Sequence, residues 1–242
     1  MWKFIGLSNY ISLNLETDLT RIIWNTIVYA FVGSAVPLVL GMSIALLVNS
    51  LKGLLQRIIS TILIIPMLIL PVVGGIVWSF MLSEHYGWFN HFISMFGFKP
   101  QAWLMTPYSL WFVILTDIWG WTPWVFLIIF AGLQQLDPSI KDAASIDGAS
   151  GFSRFRYVIF PMIRNLTLLV FILKLVDTYK AFDYLWVMTE GGPGTYSTTL
   201  NIIAYKYLTI YRDVGMASTF GVISMVFPIL ASLTILIISR GR

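Results

Sequence analysis

The 242-residue sequence has no cysteine, two histidines and few charges. Without a thiol there is no disulfide, no thiolate nucleophile and no Cys-based zinc or iron–sulfur site. His85 and His91 do not stand at HExxH spacing, and no GxxxxGK[ST] loop occurs, so the chain has no recognisable means of hydrolysing ATP itself. Charged residues make up 11 % of the chain against 58 % apolar ones, and the mean hydropathy is +0.83. A water-facing surface needs roughly 25–35 % Lys, Arg, Glu and Asp. The shortage excludes a disordered chain, a nucleic-acid-binding module and a soluble catalytic domain. It leaves a membrane protein.

What is present is arranged in long uncharged runs. No charge lies between Arg21 and Lys52, between Arg57 and Glu84, or between Asp213 and Arg240. Each run exceeds the roughly 20 residues that cross a 30 Å hydrocarbon core at 1.5 Å rise per residue. Two more apolar segments are interrupted by charge: one holds Asp117, the other Lys174, Asp177, Lys180 and Asp183 around LLVFIL (168–173). The sequence therefore predicts an all-α, polytopic bundle of five spans, at 22–48, 58–82, 107–131, 163–187 and 215–239. The first run is too long for a signal-peptide h-region and lacks a small-residue cleavage site after it. Pro37, Pro66, Pro71, Pro123 and Pro228 fall inside these spans. Membrane helices tolerate them where neighbouring protein re-satisfies the freed carbonyls, so both ordinary composition and gating hinges stand as readings.

With five spans the loops alternate sides. One side holds Lys52, Arg57, Lys141, Arg154, Arg156, Arg240 and Arg242; the other holds Lys3, Arg21, Lys99, Lys206 and Arg212. The basic excess assigns the first group, with the C-terminus, to the cytoplasm.

The longest cytoplasmic loop, 137–161, has internal structure. Asp137 is an N-cap candidate, Pro138 suits the first helical position, and Gly148 suits a left-handed helix end. A second helical piece over 152–160 carries Phe155, Val158 and Ile159 beside Arg154 and Arg156, and Pro161 is expected to close it. The residues alone leave two readings open: a narrow helix for a groove in another protein, or an amphipathic stretch on the bilayer surface.

DAASIDGASGFSRFRYVIFP (142–161) resembles the EAA loop of permease subunits of bacterial ATP-binding-cassette importers. Ala143, Ala144, Asp147, Gly148, Ala149, Phe155, Ile159 and Pro161 match; Asp142 stands for the usual Glu and Phe160 for the usual Leu. FIGLSNYISL (4–13), NTIVYAF (25–31) and KAFDYLWVMTEGGPGTYSTTL (180–200) are similar to MalF-like sugar permeases, so the resemblance covers nearly the whole chain. It implies a MetI-like transmembrane fold forming one permease domain over 1–242, in the cell inner membrane. Subunits of this type usually have six core helices, so a further helix is expected ahead of GLSNY. The resemblance also implies a second homologous permease, two cytoplasmic ATPase subunits that hold ATP and Mg, and an extracytoplasmic sugar-binding protein. Asp142, Ala143, Ala144, Asp147, Gly148, Ala149, Phe155, Ile159 and Pro161 would couple the chain to the ATPases. No cofactor or metal is expected in this chain.

Charge inside a span is expensive, so it marks candidates for the solute pathway. Lys174, Asp177 and Lys180 stand three apart and are expected to share a face, either paired within the bundle or lining a pore. Asp117 lies near Trp119, Trp121 and Trp124, and Trp121 is a candidate for stacking on a sugar, against the ordinary interfacial preference of tryptophan. Both histidines fall in the external 83–106 loop, where docking is plausible and catalysis is not. No span interior holds the aligned arginines that a phosphate ester would favour, which sets glycerol phosphate behind sugars. A peptide solute is the other transport alternative. A membrane-embedded enzyme is a further alternative without a recognised catalytic motif.

Overall fold

The computed structural model describes residues 5–16, 18–137, 139–140, 148 and 151–240, with side chains for all of these except 14–16 and 231–240. The described residues are helical throughout their regular structure: α1 (Ser8–Glu16), α2 (Leu19–Ser50), α3 (Gly53–Ile64), α4 (Pro71–Met81), α5 (Trp88–Ser94), α6 (Ser109–Gln134), α7 (Gly151–Tyr179), α8 (Asp183–Thr189), α9 (Leu200–Thr209) and α10 (Val214–Arg240). Of these, α2, α6 and α7 are each long and apolar enough to cross a membrane, and α3 with α4, bent by 93° between them, forms either a broken span or a re-entrant loop. At 27 residues, α10 has the length of a span.

Three expected spans fall within a few residues of α2, α6 and α10, and two are corrected. The run at 58–82 is not one helix. Pro66 has no N–H to return to Ile62, whose carbonyl instead accepts from Ile65, three residues on. The chain tightens into a 3-10 turn over Ile65–Leu68, goes extended at Ile69, and restarts with Pro71 as the first residue of α4. A residue preceding proline is itself disfavoured in the helical basin.

The helix expected at 163–187 instead runs from Gly151 to Tyr179. Pro161 does not close a separate 152–160 piece, because the helix is already widened there. Residues Phe155–Ile159 form a π turn, with the Phe160 N–H reaching back to the Phe155 carbonyl. A proline that lacks a donor fits directly after such a break in the ladder. The other end stops early because the Lys180 and Ala181 N–H groups turn back to carbonyls three residues earlier, Asp177 and Thr178, and Phe182 leaves the helical basin.

The described chain falls into two compact units. One comprises Val32–Leu70 and Asp117–Leu175. Its core is built from Ala45 and Val48 of α2, Val125, Phe126, Ile129 and Leu133 of α6, and Ile163 and Val170 of α7. The other comprises Met1–Phe31, Pro71–Thr116 and Val176–Arg242. There Leu13, Ile22, Leu200, Ile203, Met216 and Phe220 bury one another, joining α1, the start of α2, α9 and α10.

In the first unit α2 and α6 approach closely at Gly41. A Cβ built there would lie 2.8 Å from the Val125 Cβ and 2.9 Å from the Phe126 backbone nitrogen. A backbone atom cannot step aside as a side-chain tip can. Gly41→Ala is therefore expected to lower stability by about 1–3 kcal/mol. Gly221→Ala, where nothing lies within 4 Å of the added carbon, should leave it unchanged or gain up to about 1 kcal/mol. Thermal unfolding in lipid nanodiscs reads both, and equal responses would contradict the close-approach account.

Candidate functional site

The structure brings together two residues that stand 57 apart in sequence. Lys174 Nζ lies 3.0 Å from Asp117 Oδ2, with side-chain exposures of 1 % and 2 %. The ammonium also sits over the Trp121 ring, 4.6 Å from its centroid. A charge in an apolar interior is stable only with a counter-charge and further dipoles around it, and here carboxylate and ring face supply them. That ring face is therefore occupied by the ammonium. Asp177 and Lys180 are exposed, and Lys180 lies beyond the last residue of α7. A spacing of three sets Asp177 about 60° from Lys174 on α7, with Lys174 buried and Asp177 exposed.

The coupling-loop candidates divide between described and undescribed residues. Asp142, Ala143, Ala144, Asp147 and Ala149 lie outside the described residues. At the loop's start the Asp137 Oδ1 accepts the Ser139 N–H at 2.9 Å, and the Ile140 N–H bonds the Asp137 carbonyl at 3.1 Å. This is the geometry of a helix N-cap. Donation from Ser139 holds the Asp137 carboxyl below its ordinary value. The cap is thus fully present above the ordinary carboxylate pKa and is lost as pH falls through the lowered one. Gly148 has φ +77°, and a Cβ there would meet nothing within 4 Å. Conformation, not space, is what reserves the position for glycine. Phe155 and Ile159 lie on the π turn; Ile159 packs on the core of its unit and Phe155 meets Phe152 and Phe160, while Pro161 is exposed.

A third cluster lies in the other unit. After α8 the chain turns at Glu190, in the left-handed region at φ 51°, and enters the glycine-rich stretch 191–194. Side-chain hydroxyls hold the loop. Ser197 and Ser109 both donate to the Gly192 carbonyl, at 2.7 and 3.0 Å, and Thr198 donates to that of Gly191 at 2.7 Å. Buried Asn25 of α2 directs its amide at three loop carbonyls, Thr195, Tyr196 and Thr198, at 2.9–3.1 Å. The Thr26 hydroxyl accepts the Leu200 N–H at 3.0 Å. The readable signal was Asn25 itself, an amide inside a run of 30 uncharged residues between Arg21 and Lys52.

The ion pair makes a measurable prediction. Asp117→Asn leaves the Lys174 ammonium buried without its counter-charge and is expected to cost about 3–5 kcal/mol, as is Lys174→Met for the opposite reason. The double variant Asp117→Asn with Lys174→Met should cost clearly less than the sum. Thermal unfolding and membrane abundance of the four proteins give the coupling. Additive losses would mean that the two charges do not depend on each other.

Residues 37–241 match the family described as binding-protein-dependent transport system inner membrane component. The chain is 32 % identical over 241 residues to the trehalose/maltose transport system permease protein MalF of Thermococcus litoralis, covering 99 % of this chain and 80 % of that one. It is 29 % identical over 216 residues to the sn-glycerol-3-phosphate transport system permease protein UgpA of Yersinia enterocolitica, covering 87 % and 70 %. Its fold is similar to a chain in the crystal structure of a bacterial ABC transporter involved in the import of the acidic polysaccharide alginate, with a TM-score of 0.86, 20 % identity and coverage of 98 % and 84 %. Helices long enough to span a bilayer, a capped loop start ahead of α7 and a match over most of its length lead to one conclusion: the chain belongs to the family of binding-protein-dependent transport system inner membrane components.

Proposed function

We propose that the chain forms half of the membrane pathway of an ATP-driven importer for a neutral sugar or oligosaccharide. A second homologous permease would supply the other half. An extracytoplasmic binding protein would deliver the solute, and two cytoplasmic ATPases would bind ATP and Mg and dock on the 137–161 loop. ATP-driven closure of the ATPases would shift the permease pair between inward- and outward-open states through contacts that differ in the two states. The observation that carries the neutral-solute reading is the buried pair. Lys174 is the buried basic side chain of α7, and Asp117 already neutralises it. It is thus not offered as a counter-charge to a phosphate or carboxylate on the solute. The relation to a trehalose/maltose permease over 99 % of the chain points the same way. The glycerol-phosphate relative makes that ester the informative competitor.

The loop would carry the coupling. A left-handed Gly148 would fix how the chain leaves the loop towards α7, with Asp137 capping the loop's start. A non-glycine residue in that conformation costs about 1–2 kcal/mol, and more if β-branched. In proteoliposomes holding the complete importer, Gly148→Val is expected to keep membrane abundance while losing most ATP-dependent uptake, with Gly148→Ala between it and wild type. Uptake is measured with neutral di- and oligosaccharides and with glycerol phosphate. Wild-type uptake by the valine variant at equal abundance would remove the coupling role, and a preference for glycerol phosphate would remove the neutral-solute reading.

The reading also sets sidedness, with residues 132–162 and the C-terminus cytoplasmic and 83–106 and 188–214 outside. The chain has no cysteine to interfere with labelling. Single cysteines at Ser153 and Thr209, both exposed, should react with an impermeant maleimide only from inside and only from outside, respectively. Labelling of position 153 from outside intact cells would invert the orientation.

A further inference from the structure

The segment between α4 and α6 carries aromatic side chains that pack neither in a core nor in the sites described above. Trp88, Phe96 and Phe98 are 62–67 % exposed and Tyr86 88 %. They are not loose. Trp88 stacks on Phe92 at 5.7 Å, and Phe92 meets Phe96 edge-on at 5.3 Å, so α5 and the turn after it present one continuous aromatic ridge. The opposite side of α5 is fixed by Asn90, which is buried and uses its whole hydrogen-bonding capacity. Its amide donates to the carbonyls of Ser83 and Gln101 at 3.0 and 2.9 Å. Its oxygen accepts from the Gln101 N–H and the Trp103 indole N–H at 3.0 and 2.9 Å. Phe89 packs edge-on against Trp103 behind it. The ridge is therefore held out by an internal anchor and needs no partner to form.

Position in the chain says what it meets. Six residues separate Met81, the end of the bent apolar α3–α4 pair, from Trp88, a reach of at most about 25 Å fully extended. The Gly87 N–H bonded to the Ser83 carbonyl shortens that further. α4 packs on α5 and leaves Val73, Val77 and Phe80 exposed on its own outer side. Those three stand at i, i+4 and i+7, one face of a helix that lies in the bilayer. Residues 83–106 hold only Glu84 and Lys99 as charged side chains besides the two histidines, too few to select a charged protein surface. Aromatic side chains at this depth favour the boundary between headgroups and acyl chains.

We propose that α5 and the turn following it form an interfacial anchor, with Trp88, Phe92, Met95 and Phe96 inserted into the lipid boundary and His91 and Ser94 facing water. The anchor would fix the depth of the 83–106 segment whatever solute the importer carries, and it rests only on the membrane-spanning character of the chain.

Spin labels on single cysteines at positions 88, 92, 95 and 96, with 91 and 94 as the water-facing set, test this in the purified importer reconstituted into liposomes. At 88, 92, 95 and 96 relaxation by oxygen should exceed relaxation by a water-soluble nickel chelate several-fold; at 91 and 94 the order should reverse. Phe92 touches two rings, so positions 95 and 96, past the end of the helix, keep the test readable if Phe92→Cys reduces abundance. Dominance of the nickel chelate at all six positions would overturn the proposal. So would labels at 95 and 96 that neither reagent reaches, or that become immobile only when the binding protein is added, since either would make the ridge a protein-docking surface.

Discussion

A polar group inside a bilayer has no water to fall back on, and that constraint orders the whole of this chain. Its most demanding case is the Lys174 ammonium, which is nearly inaccessible and meets the Asp117 carboxylate and the Trp121 ring face. Removing either charge leaves the other stranded, so α6 and α7 are tied at this level by more than the apolar contacts of Phe126, Ile129 and Val170. Such a pair contributes little net stability against an apolar substitute, but it penalises every arrangement in which the two helices separate or slide. It acts on specificity of packing rather than on its strength.

The same constraint governs the smaller polar groups. Hydroxyls along the spans return to the carbonyl four residues back, as Thr26 does to Ile22, Ser43 to Val39, Thr116 to Phe112, Thr122 to Ile118 and Thr167 to Ile163. Asparagines act as hubs where the backbone leaves regular structure. Asn25 caps the carbonyls of the glycine-rich loop, and Asn90 caps those of the hairpin before α6. Polarity within a span is therefore a poor pointer to the solute route by itself, since most of it serves the fold.

This explains what could be read from sequence. The spans were legible because hydrocarbon thickness imposes a minimum length on uncharged runs, and the runs of α2 and α10 meet it. Asp137 was legible as a cap because capping is local chemistry, complete within three residues. The break between α3 and α4 was not. Pro37, Pro123 and Pro228 stay inside helices, whereas Pro66 and Pro71, five residues apart, take two donors from neighbouring turns. Nothing in hydropathy separates the two cases. The Lys174–Asp117 contact was illegible for a different reason. It joins residues 57 apart in the chain, and no local spacing rule reaches across that distance.

α7 connects the two features that matter most to the proposed function. Between Gly151 and Leu175 it belongs to a single unit, with the π turn near one end and Lys174 near the other. From Phe155 to Lys174 the helix spans about 28 Å at 1.5 Å per residue, and its Ile159, Ile163 and Val170 pack on one core. Its packing on that core links the loop end to the ion pair through one continuous helix. The π turn is the exception, because its i→i−5 bond replaces the regular ladder and can shift by one residue at modest cost. Compliance is thus confined to the five residues next to the loop, where Phe155 and Ile159 of the EAA-like sequence lie, and stiffness to the segment that carries the charge pair. A force applied at the loop would either reset the π turn or move Lys174 relative to Asp117. The burial of both charges makes the second motion the costlier one unless α6 moves with α7.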